Sequence, residues 1–148
     1  MNEKLKIKGN KIKVFEKYWE NDDVSVIMIL LVLHYSIGGK TLSVQLKKIA
    51  FIMDAVKKNL NVSKLSILLS SPWHISDGMR KMVIIAFEKG FLDIKETNSI
   101  ISFSLTTEGS ALIEKIEREK ILPDLSSDIK IWSKAVSNNE LKNQRLIW

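Results

Sequence analysis

The sequence predicts a mainly α-helical domain carrying one small β-hairpin. Three observations support this. Apolar residues recur at three-four spacing through successive stretches, two short strand-like runs flank Glu96-Thr97-Asn98, and glycine, proline or capping residues mark the junctions. At 148 residues the chain suits one domain with short appendages, and it can bury a core without disulfides or metal.

The first ten residues, with Lys4, Lys6 and Lys8, read as a frayed arm ended by Gly9-Asn10. In "KIKVFEKYWE", residues 11–20, Ile12, Phe15 and Trp19 share one stripe and predict a short amphipathic helix. Asn21, Asp22 and Asp23 supply cap candidates and first-turn acids for the next helix, which runs to about Ile37. That helix is apolar nearly all round, so it is expected at the centre of the core. Its most apolar run, Val24 to Leu33, is about half the length that crosses a bilayer. Gly38-Gly39 should end it through a positive φ. Ser43 can then cap a third helix, "VQLKKIAFIMDAVKKN", with Leu46, Ile49, Met53 and Val56 inward and Lys47, Lys48, Lys57 and Lys58 mostly outward.

"NVSKLSILLSSP" reads as a connector with a short apolar turn, Leu65 to Leu69, stopped by Pro72. The next helix starts at Ser76 or Asp77 and ends at Gly90. "FLDIK" and "SIISFSL" form the hairpin around Glu96-Thr97-Asn98. Thr106 then caps a helix with Glu108 in its first turn and Leu112, Ile113 and Ile116 facing inward, and Pro123 breaks it. The tail adds one or two helices carrying Trp132 and Trp148. The chain therefore divides into a basic arm with a short helix over 1–20, a body over 21–122 and a C-terminal helical extension over 123–148.

Several function classes are unsupported. The chain has no cysteine, which removes thiol catalysis, zinc–thiolate sites and a disulfide scaffold. The basic opening lacks the apolar segment and cleavage site of a secretory signal, so a soluble cytoplasmic protein is expected, with no membrane role. Gly39-Lys40-Thr41 resembles the end of a phosphate loop, but such a loop needs a glycine where His34 stands, and a strand before it rather than a helix. His34 and His74 are the only histidines and neither has a second ligand at helical spacing, so no metal is expected. Asp22-Asp23 suit helix capping, and nothing pairs them with a base or nucleophile. The expectation is no enzyme, no cofactor and no small-molecule substrate.

The order helix, helix, helix, hairpin, helix resembles a winged helix. The likeness is sharpest at Gly90-Phe91-Leu92, the two-strand run, and Leu105-Thr106-Thr107-Glu108-Gly109 leading to Leu112 and Ile116. Winged helices read DNA through the helix before the wing, or hold proteins together. Here that helix offers Ser76, Asp77, Arg80 and Lys81, and the wing offers Lys95 beside Glu96. This is a thin surface for base reading, which favours Arg, Asn and Gln. The net charge of +6, the N-terminal lysines and Lys47, Lys48, Lys57 and Lys58 better suit non-specific backbone contact, or simply a solvated basic surface. The candidate DNA contacts are thus Lys47, Lys48, Arg80, Lys81 and Lys95. Trp19, Trp73, Trp132 and Trp148 are candidate partner contacts, tryptophan being enriched at interface hot spots, although such residues more often pin terminal helices to their domain.

A second resemblance lies in "ILLVLHYSIGGKTLSVQLKKIAFIMDAV". Its apolar helix, small-residue corner, and Leu46, Lys47 or Lys48, Phe51 and Asp54 are similar to the winged-helix middle components of bacterial three-component ABC-ATPase systems, including the Lamassu-type antiphage defence operons. That resemblance implies a non-enzymatic accessory subunit bridging an SMC-like ATPase and an effector. The alternative is a DNA-binding transcription regulator, dimeric through its terminal helices.

Overall fold

A computed structural model describes residues 22–38, 41–65, 75 and 77–136. Among them are five α-helices and one three-stranded antiparallel sheet of order β1-β3-β2. The helix expected over residues 11–20 and the apolar turn beyond Leu65 lie outside the described residues.

Helix α1 (Asp22–Ser36) opens on two aspartates and buries nine of its fifteen residues. Met28 to Leu33 are fully enclosed, as an all-round apolar helix demands. Each such side chain contributes about 1.5–3 kcal/mol, so α1 is a central part of the apolar core. Every other helix and the middle strand pack against it. At its end Gly38 lies outside the positive-φ region, and Gly39 lies outside the described residues. Ile37 N–H donates to Leu33 C=O at 3.0 Å, and Gly38 and Thr41 exchange backbone hydrogen bonds of 3.0 and 2.9 Å.

Strand β1 (Val44–Gln45) takes residues expected to begin a helix. Val44 is fully buried opposite Phe103, and Gln45 pairs with Ser102. The sheet therefore claims a β-branched residue that helix periodicity alone assigned elsewhere. Helix α2 (Leu46–Lys57) starts afterwards from an extended Gln45 with no side-chain cap, so Ser43 is not its cap. A 3-10 turn follows at Val62–Lys64, where the Asn61 side chain accepts from Ser63 N–H at 2.9 Å.

Helix α3 (Asp77–Glu88) ends before Gly90, whose φ of 80° reverses the chain at no steric cost. Strands β2 (Leu92–Thr97) and β3 (Ile100–Leu105) then form the hairpin, with Leu92 opposite Leu105 and Thr97 opposite Ile100. The turn is Asn98-Ser99, later than the expected Glu96-Thr97-Asn98. Its two residues have φ of 53° and 65°, the geometry of a two-residue hairpin, which asparagine tolerates and β-branched Thr97 does not.

The sheet is locked to helix α4 (Thr107–Arg118) by a compact knot. Thr106 Oγ1 accepts from Gly109 N–H at 3.0 Å and donates to Gly90 C=O at 2.6 Å, while Thr106 N–H donates to Phe91 C=O at 3.2 Å. The Leu-Thr-x-x-Gly signature thus caps α4 and ties it to the start of β2. Ile113 and Ile116 face inward as expected, and Leu112 packs at the margin.

Pro123 does not break α4, which has already ended at Arg118. It opens helix α5 (Pro123–Ala135), where its missing N–H is harmless in the first turn. Nor is α5 an appendage. Ile129, Trp132 and Val136 are buried, α1 is its chief neighbour, and Trp132 meets Phe51 edge-on at 6.2 Å between centroids. On the outside, Tyr35 O–H donates to Glu117, and Lys130 lies 5.9 Å from the Tyr35 ring centroid, joining α1, α4 and α5. Burial first, then the hydrogen bond and the charge of Glu117, push the Tyr35 hydroxyl up to about 12.

The hydroxyls of Ser126 and Ser133 are buried on α5 without a hydrogen-bond partner among the described residues. Removing a buried, unpaired hydroxyl lifts its desolvation cost, about 1–3 kcal/mol for a fully unsatisfied group, while the lost packing is small. Ser133→Ala is therefore expected to leave the urea midpoint unchanged or raise it. A clear fall would show that the hydroxyl is satisfied in solution.

Candidate interaction surface

Among the described residues, most of the large apolar side chains left exposed lie on α3 and the hairpin. On α3, Met79, Val83 and Ala86 face the core, so residues at the complementary spacing face solvent. These are Asp77, Lys81, Ile84 and Glu88, with Phe87 beside them and Arg80 half-buried. Asp77 and Glu88 offset Arg80 and Lys81, leaving a face of no net charge. Its centre is apolar, with Ile84 54% and Phe87 45% exposed.

The hairpin has the same character. Leu92, Ile94 and Glu96 share a face with Ile101, Phe103 and Leu105, since directly opposite residues point the same way. Leu92 and Phe103 are buried, but Ile94, directly opposite Phe103, and Ile101 are 47% and 52% exposed. Ile100 is exposed on the opposite face. The charges Asp93, Lys95 and Glu96 give the exposed part of β2 a net negative balance.

The sequence-derived candidates fall into three groups. Arg80, Lys81 and Lys95 do lie on these two elements, Lys81 and Lys95 exposed. The α2 lysines do not make a basic strip. Lys48 is only 5% exposed, which corrects its assignment as a DNA contact: it is buried in the first turn of α2, next to the enclosed Ile49. Lys47 is half-buried, and Lys58 pairs with Asp54 at 3.0 Å. Trp132, 3% exposed, is likewise corrected from a partner contact to a core anchor. Trp19, Trp73, Trp148 and His74 lie outside the described residues. His34 is half-buried, its ring edge-on to Tyr35 at 4.9 Å.

Charge over the described residues is almost balanced, with fourteen Lys and Arg against thirteen Asp and Glu. Most of the +6 resides in residues 1–21, Lys40 and residues 137–148. The sequence reading missed the exposed Ile84, Phe87, Ile94, Ile100 and Ile101. One signal was available for Ile84, which falls on the Asp77, Lys81, Glu88 stripe of a helical projection.

A cleft of ≈ 390 Å³ lies between the C-terminal end of α2 and α5. Val56, Leu60, Ile131 and Trp132 form its apolar wall, and Asn61 and Asp128 its polar side. Burial, then the nearby Asp124 charge, raise the Asp128 carboxyl above the usual range. Asp128 has no nucleophile or base beside it on that wall, so the lining offers no acid–base pair. Among the described residues no three His, Asp or Glu side chains gather to hold a metal, and no helix is long and apolar enough to cross a membrane. No protein-family model, characterised protein or solved structure matches the chain.

Proposed function

We propose that this chain is a winged-helix protein whose projecting helix and wing dock onto protein rather than read DNA. In this reading it is the non-enzymatic accessory subunit that joins an SMC-like ABC ATPase to an effector in a bacterial antiphage defence complex. The single observation that carries the protein-docking part is the outward face of α3. Where a DNA reader needs a basic, amide-rich surface, this helix presents Ile84 and Phe87 within a charge-balanced frame. A strand order of β1-β3-β2 with α3 entering the hairpin supports the winged helix. The defence-system assignment rests on the resemblance of residues 29–56 and of the Leu-Thr-x-x-Gly signature.

DNA contact, where it occurs, is expected to be non-specific and to come from the lysine-rich first twenty residues. Fluorescence anisotropy with random duplex DNA at several salt concentrations tests the reading. The Arg80→Ala/Lys81→Ala/Lys95→Ala triple variant should bind within about twofold of the parent, because neutralising cations off the contact surface changes little. An SMC-like ATPase encoded in an adjacent reading frame, co-expressed with the chain, should co-purify with it, and Ile84→Asp/Phe87→Asp should lose it. Tight DNA binding with a steep salt slope that the triple variant flattens would instead make the chain a DNA-binding regulator.

A further inference from the structure

We infer that the outer edge of β2 is a self-association surface, on which two copies of this chain pair antiparallel about Ile94. The surface lies on the wing that the proposed function also assigns to docking, and its test is distinct because the variants below leave Ile84 and Phe87 of α3 in place. With the strand order β1-β3-β2, β2 has no strand neighbour on its outer side among the described residues. Every residue from Asp93 to Ile100 is exposed. An open edge of this kind presents unpaired N–H and C=O groups and is a template for another strand.

The hairpin dictates which registers are available. A two-residue turn closes on a hydrogen-bonded pair, here Thr97 and Ile100, so the pairs Lys95–Ser102 and Asp93–Ser104 also exchange backbone bonds with β3. The backbone groups of Ile94 and Glu96 then point to the open edge. A second β2 can bond there only if its own outward-pointing residues stand opposite, which limits pairing to registers of matched parity. In all of them the two copies keep the same face of the sheet, with the two-fold axis perpendicular to it.

Charge selects among these registers. Pairing centred on Asp93 sets two aspartates opposite each other, and pairing centred on Lys95 sets two lysines opposite each other. Both are unfavourable, since directly opposed like charges destabilise a strand pair. Centring on Ile94 instead sets Asp93 opposite the second copy's Lys95, and Lys95 opposite the second copy's Asp93. These are non-hydrogen-bonded positions, where side chains stand closest. The same register stacks Ile94 on its own counterpart and covers a half-exposed isoleucine. It also places Glu96 opposite Leu92. A six-residue strand spans about 20 Å and buries less than a standard interface, so the dimer is weak, with a dissociation constant on the order of 100 µM.

Sedimentation equilibrium of the full chain over a concentration series tests this, with Asp93→Lys, Lys95→Asp and the double variant Asp93→Lys/Lys95→Asp. The parent chain should show a monomer–dimer equilibrium. Each single reversal opposes like charges twice and should weaken dimerisation at least about tenfold. The double variant exchanges the two charges and should restore the parent value. All these side chains are exposed, so thermal melts should coincide and exclude misfolding. A parent chain that stays monomeric overturns the proposal. So do single variants that dimerise like the parent, which would place the interface elsewhere, and so does a double variant that fails to recover.

Discussion

Trp132→Ala is expected to destabilise the protein by about 3–5 kcal/mol, the cost of truncating a buried tryptophan and leaving its cavity. Trp132 is buried between α5 and the core and meets Phe51 edge-on, so its loss removes both the apolar area and the aromatic contact. For a chain of this length that corresponds to a fall in melting temperature of roughly 8–16 °C. Urea denaturation followed by far-UV circular dichroism measures it. Trp132→Phe should recover part of the loss, because it keeps a ring in the site. A chain ending at Leu122 should fail to unfold cooperatively, since it also lacks Ile129 and Val136 and uncovers α1. A loss under about 1 kcal/mol for Trp132→Ala, the range of surface sites, would mean that α5 is only loosely attached.

Gly109→Ala is the second large effect. A Cβ at Gly109 would lie 2.0 Å from the backbone oxygen of Phe91 and 3.2 Å from the Leu105 side chain. The nearer neighbour is backbone, held by its hydrogen bond from Thr106 N–H, so it cannot swing aside. The substitution must push the first turn of α4 off the sheet, which places it at the upper end of overpacking penalties, about 3 kcal/mol or more. Gly90→Ala is the informative contrast. Nothing lies within 4 Å of its missing Cβ, and only its φ of 80° opposes a side chain, at about 1–2 kcal/mol. Chemical denaturation of both variants should rank Gly109→Ala clearly below Gly90→Ala. The reverse order would show that backbone conformation, rather than close approach, holds the hairpin to α4.

These two glycines show how unevenly a sequence discloses its structure. Gly90 was legible as a helix terminator because the local rule and the tertiary outcome agree. Gly109 was legible only as part of a recurring signature. Its physical reason, the approach of Phe91 from eighteen residues away, is a contact between two elements. The same divide runs through the candidate site. The acids, bases and apolar residues of α3 were all readable, but the exposure of Ile84 and Phe87 depended on which helix face the core takes. Lys48 was placed outward by its charge, although the packing of α2 leaves it buried. The tryptophan on α5 suited an interface or the interior, and only its packing against Phe51 decides between them.

What the amino-acid order determined by itself is local. It settled the run and centrality of α1, the ends of α3, the Thr106 cap of α4 and the presence of a hairpin, because hydrophobic period, capping and backbone freedom act within a few residues. It also excluded cysteine chemistry outright. What only the tertiary structure decided is pairwise and distant: the third strand at Val44–Gln45, the incorporation of α5 into the core, the edge position of β2 among the described strands, and the apolar side chains left on α3 and the hairpin. Each follows from which surfaces meet once the elements pack, and burial is a property of that meeting rather than of any residue alone.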